Sequence, residues 1–97
     1  MYLAVIDVKS IENYKLILTF ENSEKRVFDV SKYLEIGKFR ELKDKKIFNS
    51  VKVSFDSIEW SNFLDLDPEL LYRESIDFNI VKNQLQQGKK DETDQIF

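Results

Sequence analysis

Apolar and polar residues alternate along five stretches of the chain, the pattern of a β-strand that buries one face. The stretches are 3–9, 14–20, 25–30, 51–55 and 58–60. In the first, strict alternation places Ile6 and Val8 on one side and Val5 on the other. We therefore predict an α+β fold, with a small antiparallel sheet of about five strands, short helices and one capped C-terminal helix.

The turn between the second and third strands is set by register, because a shift of one residue moves every side chain to the opposite face. A two-residue loop places Leu16 opposite Asp29, whereas a three-residue loop at 21–23 places Leu16 opposite Phe28. The second pairing is the better match. Such a loop usually has glycine in its last, left-handed position, and Ser23 there costs roughly 1 kcal/mol.

The stretch from Ile58 to Glu69 contains the only tryptophan and the only proline of the chain. A tight turn at 56–57 pairs Phe55 with Ile58 and Val53 with Trp60, so that these four side chains share the core face. Trp60 is accordingly predicted to be a core residue.

The sequence Asp67-Pro68-Glu69 is the strongest helix start in the chain. Aspartate caps a helix, proline fits its first turn, and glutamate faces the positive end of the helix dipole. Shorter helical pieces are predicted at 32–35, capped by Ser31, and between 38 and 49, with Asp44 as a cap.

The chain has 97 residues, which is the size of one domain. We assign 1–76 to a single α+β domain and 77–97 to a C-terminal helical or disordered extension. There is no cysteine and no histidine, which excludes disulfides, thiolate metal sites and Ser-His or Cys-His nucleophiles. No apolar run approaches the roughly 18 residues of a membrane span. We expect a cytoplasmic protein without a membrane segment.

Asp65, Asp67 and Glu69 have the spacing found at the start of a calcium loop. Leu70 and Ile76, however, occupy the positions where that loop needs a glycine and a bidentate acid. We therefore interpret these acids as a helix cap and solvent-facing side chains, and we expect no metal and no cofactor.

Glu59, Asp65 and Asp67 are also candidates for paired acids in general acid–base catalysis. A chain with one small core offers little room for the substrate groove that such chemistry needs. We expect no catalytic residues, and an enzyme using these three acids ranks below two binding functions.

A basic segment contains Lys38, Arg40, Lys43, Lys45 and Lys46. Acids interrupt it and the net charge of the chain is −3, so a solvated helical face is the favoured interpretation. Nucleic-acid binding through these side chains is the alternative.

A possible partner surface is the second face of the first hairpin, where Ile17 and Val27 lie opposite the core side. Phe78, Val81 and Leu85 recur at helical spacing and add an amphipathic segment. This segment matches the mode in which a helix binds in a partner's groove. The expected partner is another small protein or a second copy of the chain.

Several runs carry a family likeness: 13–30, Phe39-Arg40-Glu41-Leu42, Ile58-Glu59-Trp60 and 65–72. Over about residues 1–76 the chain resembles the small bacterial proteins of the "domain of unknown function 2442" family. It departs from that pattern at Ser23, where the family usually has glycine. Ser61 and Phe63 stand where the family often has proline and glycine, which leaves the shape of loop 61–64 open.

The resemblance implies an α+β domain with a helix after the Asp-Leu-Asp-Pro turn, and it supplies no catalytic residues. Family members look like companions of another small family, "domain of unknown function 4160", in paired genes that resemble toxin–antitoxin modules. We thus expect a non-enzymatic protein-binding module, antitoxin-like or accessory to a second protein.

Overall fold

The computed structural model describes residues 2–81. The strands are β1 (Val5–Ile11), β2 (Lys15–Phe20), β3 (Lys25–Asp29), β4 (Lys52–Ser54), β5 (Ser57–Glu59), β6 (Asp65–Leu66) and β7 (Ile76–Asp77). The α-helices are α1 (Lys45–Phe48) and α2 (Pro68–Glu74), and 3₁₀ helices cover Glu12–Tyr14, Val30–Tyr33 and Gly37–Lys43. Residues 78–81 are helical. The predicted α+β class is confirmed.

The strands form two antiparallel sheets, with the orders β1-β2-β3-β7 and β4-β5-β6. The sequence pattern indicated about five strands in one sheet. The two strands that it missed, β6 and β7, have two residues each. A pair of residues is too short for alternation to be visible.

The two sheets meet where β4 runs alongside β1. At one end of this seam the Val5 N–H donates to the Asp56 carbonyl at 2.9 Å. At the other end the Ser10 hydroxyl donates to the Asn49 side-chain oxygen at 2.9 Å. The seam holds the second sheet against the first without a continuous ladder of strand hydrogen bonds.

The core lies between the two sheets and the helices. The face of β2 that points inward buries Leu16, Leu18 and Phe20 completely. Trp60 is 1% exposed, and its ring N–H donates to the Phe48 carbonyl at 3.1 Å. The prediction that Trp60 is a core residue is therefore confirmed, and its one polar atom is satisfied.

The predicted register of the first hairpin is confirmed, since Leu16 pairs with Phe28. Ser23 occupies the left-handed position with a φ of 73°. The predicted start of this hairpin is wrong by one residue, because β2 begins at Lys15. Tyr14 has a φ of 59° and its hydroxyl donates to the Lys43 carbonyl at 2.7 Å, which takes it out of the strand.

The predicted faces of β1 are wrong in their first half. The pairing with β2 shifts between Val5 and Asp7, as at a β-bulge, and a bulge adds one residue to one strand. Val5 is consequently buried at 2% exposure and Ile6 is 57% exposed. Val8 packs against the core, so Val5 and Val8 share the inner side.

The predicted pairing of β4 with β5 is also wrong: the turn lies one residue earlier than predicted, and each residue pairs two positions away from its predicted partner. Val53 pairs with Ile58 and Ser54 with Ser57, so the two turn residues are Phe55 and Asp56. Phe55 is 99% exposed rather than in the core. Its aromatic character suggested a strand position, but the pairing of the neighbouring serines closes the turn around it.

Aspartates cap three of the helical segments. Asp44 accepts from the Lys46 N–H and Asp67 from the Leu70 N–H, so both predicted caps are confirmed. The 3₁₀ helix Val30–Tyr33 is capped by Asp29, whose carboxylate accepts from the Ser31 N–H at 3.0 Å. Ser31 was predicted as that cap, but the helix begins at Val30, so Ser31 is its second residue and Asp29 is the cap.

Candidate functional site

A cleft of about 510 Å³ opens at one end of the second sheet. We call it the acidic cleft, and it is lined by Tyr2, Ser54, Phe55, Asp56, Ser57, Ile58, Glu59, Asp65, Leu66, Asp67 and Pro68. These residues come from the N-terminal segment, β4, the β4–β5 turn, β5, β6 and the start of α2. Its volume is within the roughly 300–1,000 Å³ of ligand pockets.

Phe55 stands at the rim of the acidic cleft in an unfavourable conformation. Its φ is 57°, a left-handed geometry that costs a residue with a side chain roughly 1–2 kcal/mol. It is also 99% exposed, so no burial within the described chain offsets that cost. Strained and exposed aromatic residues of this kind are a reason to look for function.

The turn that carries Phe55 is held from two sides. The Asp56 carbonyl accepts from the Val5 N–H, which ties the turn to β1. The Ser57 hydroxyl donates to the Leu66 carbonyl, which ties β5 to β6. The exposed ring therefore sits on a fixed backbone.

The acidic cleft carries four carboxylates, those of Asp56, Glu59, Asp65 and Asp67, and its lining contains no lysine or arginine. Glu59 and Asp65 are directly opposite each other across β5 and β6. Like charges in that position destabilise a sheet. Among residues 2–81, neither takes part in an ion pair.

The other two carboxylates already have structural partners. Asp67 caps α2 through the Leu70 N–H. Asp56 accepts from the Tyr2 hydroxyl at 2.7 Å, and this hydrogen bond raises the pKa of Tyr2 above its ordinary value. Glu59 and Asp65 are the two acids of the cleft to which we assign no such structural partner.

The carboxylates are spread along the cleft rather than converging on a point. In the part of the chain that the structure describes, no group of three or more acidic side chains is placed to hold a metal ion. A spread of negative charge beside an apolar floor suits an extended cationic ligand better than a single ion.

The predicted partner surface lies on the face of the first sheet opposite the buried side chains of β2. Ile17 pairs with Val27 across β2 and β3, and Ile76 of β7 continues the row. Val27 is only 5% exposed and Ile17 is half-buried. Phe78 and Val81 are half-buried, and Leu85 lies outside the described residues.

The predicted basic segment forms a surface of its own, away from the acidic cleft. Lys38, Arg40 and Lys43 belong to the 3₁₀ helix, and Lys45 and Lys46 belong to α1; all five are exposed. Two of them are engaged locally at Glu35. The Lys43 ammonium lies 2.7 Å from the Glu35 carboxylate, and Arg40 donates to the Glu35 carbonyl at 3.2 Å.

Of the eleven residues that line the acidic cleft, the sequence indicates only Glu59, Asp65 and Asp67 as candidate site residues. The sequence pattern places Phe55 in the core and gives Tyr2 no role. The contact of Tyr2 with Asp56 spans 54 positions of sequence, and periodicity carries no information about such a pair. Glu59, Asp65 and Asp67 were considered together, and the structure does bring all three to one cleft.

The family model "Protein of unknown function (DUF2442)" matches residues 5–77. The chain belongs to the DUF2442 family. The match starts at the first residue of β1 and ends at the last residue of β7, so it includes both sheets and the whole acidic cleft except Tyr2. No curated protein and no solved structure gives a significant match to the chain.

Ser23 and Phe63 have a backbone conformation that ordinarily favours glycine. In loop 61–64, Phe63 has a φ of 68°. The Trp60 N–H donates to the Leu64 carbonyl at 2.9 Å, and the Leu64 N–H donates to the Asn62 side-chain oxygen at 3.1 Å. This loop is therefore a three-residue hairpin turn with a phenylalanine, 80% exposed, in its left-handed position.

The first hairpin of this DUF2442 chain closes in the same way. The Phe20 N–H donates to the Glu24 carbonyl at 2.9 Å, and the Glu24 N–H donates to the Asn22 side-chain oxygen at 3.0 Å. Ser23 takes the left-handed position. In both loops an asparagine holds the turn, which explains why its shape survives without glycine.

No helix among residues 2–81 has the length and apolar character needed to cross a membrane.

Proposed function

We propose that the chain is a protein-binding module whose acidic cleft takes a basic segment of a partner protein. The observation that carries this proposal is the composition of the cleft lining, which has four carboxylates and an exposed aromatic ring but no lysine or arginine. A lysine- or arginine-rich segment complements both features.

The opposed pair Glu59 and Asp65 gives such a segment its strongest attachment. Each carboxylate repels the other in the free protein. Lys52 lies opposite Glu59 on the other side and offsets part of that repulsion, and a partner cation beside Asp65 offsets the rest. Complementary charge of this kind accelerates association and selects against acidic partners. Because both carboxylates are near the surface, binding is expected to weaken with added salt.

Phe55 supplies the apolar part of the contact. An exposed aromatic ring accepts a lysine or arginine over its face, an interaction that contributes about 0.5–2 kcal/mol. Aromatic side chains are also enriched among the residues that dominate interface energies. The strain at Phe55 is then a cost of the free protein that partner binding offsets.

The resemblance to a family found in gene pairs suggests which partner to test first, namely the protein encoded beside this chain. In this proposal the module is the neutralising or accessory member of that pair. It assigns no catalytic step to Glu59, Asp65 or Asp67, which serve as charge in the cleft.

The test is co-expression with the product of the neighbouring gene, followed by co-purification and titration calorimetry at two salt concentrations. We expect a complex that weakens when Glu59→Gln and Asp65→Asn are combined. The matched control combines Asp7→Asn with Glu12→Gln, two exposed acids outside the cleft with the same change in net charge. If both double variants bind as the wild type does, the acidic cleft is not the site.

The second candidate function is nucleic-acid binding, favoured by the exposure of all five basic side chains between Lys38 and Lys46. Phosphate contacts give an affinity that falls steeply with salt. Fluorescence anisotropy with a labelled 20-base-pair duplex at low salt is the direct measurement. Absence of binding there eliminates this candidate.

A further inference from the structure

A second cleft, of about 380 Å³, adjoins the acidic cleft. We call it the aromatic cleft, and it is lined by Tyr2, Leu3, Glu69, Tyr72 and Arg73. Tyr2 lines both clefts. The two clefts therefore meet at Tyr2.

The chemistry of the aromatic cleft differs from that of the acidic one. Tyr2, Leu3 and Tyr72 give it apolar walls, and its one acid, Glu69, is matched by one base, Arg73. With no net charge and three apolar walls, it favours an aromatic or aliphatic side chain over a second cation.

Tyr72 forms a rigid wall of this cleft. Its hydroxyl donates to the Glu24 carboxylate at 2.7 Å. Its ring meets the Phe20 ring edge-on, with centroids 5.1 Å apart, and Arg26 lies over it at 4.4 Å. A wall fixed at both ends loses little entropy when a ligand packs against it.

Tyr2 is held differently. It is 45% exposed, and its side chain is tied by the hydrogen bond from its hydroxyl to Asp56. Asp56 is one of the four carboxylates of the acidic cleft. A ligand cation that approaches Asp56 therefore competes with the Tyr2 hydroxyl for the same oxygen.

We propose that the two clefts are subsites of one groove, and that its occupant is a partner segment with lysine or arginine followed by an aromatic or aliphatic residue. Tyr2 divides the subsites and sets their selectivity. This inference rests on the proposed function, because it requires the acidic cleft to take the cationic part. An extended segment advances about 3.3 Å per residue, so a hexapeptide is long enough to enter both clefts.

The test compares two fluorescein-labelled hexapeptides on the wild-type protein by fluorescence polarisation. One contains two adjacent lysines and otherwise glycine, and the other has phenylalanine in place of the glycine two positions after the lysines. Burial of one large apolar side chain is expected to tighten binding about tenfold. Using the wild-type protein removes any effect of a variant on folding.

Two variants test whether the added affinity of the phenylalanine peptide arises in the aromatic cleft. Leu3→Ser is expected to abolish the advantage of the phenylalanine peptide and to leave the lysine peptide unchanged. Tyr2→Phe removes the competing hydroxyl and is expected to tighten the binding of both peptides by a few-fold. A circular dichroism melt shows whether each variant is folded, and Arg73→Ala offers an exposed alternative to Leu3→Ser.

The outcomes separate this inference from the proposed function. If the two peptides bind the wild-type protein equally, the groove is not continuous and the inference is overturned, while the acidic cleft stands. If neither peptide binds at low salt, the proposed function and the inference both fail.

Discussion

The guanidinium carbon of Arg26 lies 4.4 Å from the centre of the Tyr72 ring, and this contact joins β3 to α2. The same guanidinium donates two hydrogen bonds of 2.7 Å to Ser75, one to its hydroxyl and one to its carbonyl. Ser75 is 5% exposed. Arg26 thus fixes both the helix and the residue that follows it, and with them the rigid wall of the aromatic cleft.

Replacing Arg26 with lysine is expected to lower the free energy of unfolding by about 2 kcal/mol. Lysine lacks the planar fork that reaches both oxygens of Ser75 and stacks on Tyr72, and a buried acceptor left unsatisfied is costly. Urea denaturation followed by tryptophan fluorescence measures the change. Arg73→Lys is the matched control, because that side chain is 66% exposed; equal effects of the two variants would contradict the assignment.

The stability of the protein is expected to fall with acid partly through Glu24. The hydrogen bond from the Tyr72 hydroxyl, with those from Asn22 and the charge of Arg26, lowers the pKa of Glu24 below its ordinary value of 4.5. A carboxyl group whose pKa is lower in the folded state stabilises the fold above its unfolded pKa. That stabilisation is lost as the pH falls below about 4.5 and through the lowered value.

Glu24→Gln tests this assignment. We expect its melting temperature to vary less with pH than that of the wild type between pH 5 and about pH 3. Glu69→Gln, on the exposed side of α2, is the control and should retain the wild-type slope. A Glu24 variant with an unchanged slope would show that other carboxyl groups cause the loss of stability in acid.

Tyr72 is expected to affect the stability of the fold at alkaline pH. Its hydroxyl donates to Glu24, which raises the pKa of Tyr72 above its ordinary value of 10.0. A group whose pKa is raised by folding stabilises the fold below its unfolded pKa, and the stabilisation disappears as the pH rises through the folded value. Tyr72→Phe should therefore weaken the loss of stability above pH 10, measured by chemical denaturation.

Glycine at Ser23 or Phe63 is expected to stabilise the protein. Both residues have left-handed backbones, so glycine removes a strain of roughly 1–2 kcal/mol from the folded state. Glycine also stabilises the unfolded state by about 0.4–1 kcal/mol, because it gives the unfolded chain more conformational entropy. The net gain is about 0.5–1 kcal/mol per site. Ser61→Gly, in the same loop but without a positive φ, should destabilise instead.

Phe55→Gly is expected to make the protein more stable and its binding of the lysine peptide weaker. It relieves the same kind of strain and should raise the unfolding free energy by about 0.5–1 kcal/mol, yet weaken the lysine peptide about fivefold by removing the ring at the cleft rim. Phe63→Gly is the control, because Phe63 does not line the acidic cleft. A loss of peptide affinity in both variants would point to a general effect of the turns.

Local signals in the sequence predicted a large part of this fold. The register of the first hairpin followed from placing Leu16 opposite Phe28, and the start of α2 followed from Asp67 and Pro68. Each of these depends on residues that are close in the chain or on one strand face, where period and turn chemistry act directly. Trp60 is buried as predicted and alternates with the buried Ile58, but its predicted partner Val53 pairs with Ile58 instead.

The rest depends on features that periodicity does not encode. The bulge between Val5 and Asp7 breaks the alternation in β1, and a bulge has no fixed sequence signature. Phe55 has the composition of a strand residue but occupies a turn. The cleft needs Tyr2 beside Asp56, a contact between residues 54 positions apart in the chain.

The seam between β1 and β4 bears on how readily the protein aggregates at high concentration. The longest strand of the first sheet lies at the end of the strand order, and an outermost strand ordinarily recruits other chains through its unpaired backbone. Here the molecule shields that backbone with its own second sheet, tied at Val5 and Ser10. We therefore expect the seam to hinder pairing of β1 with another chain, in addition to supporting the cleft.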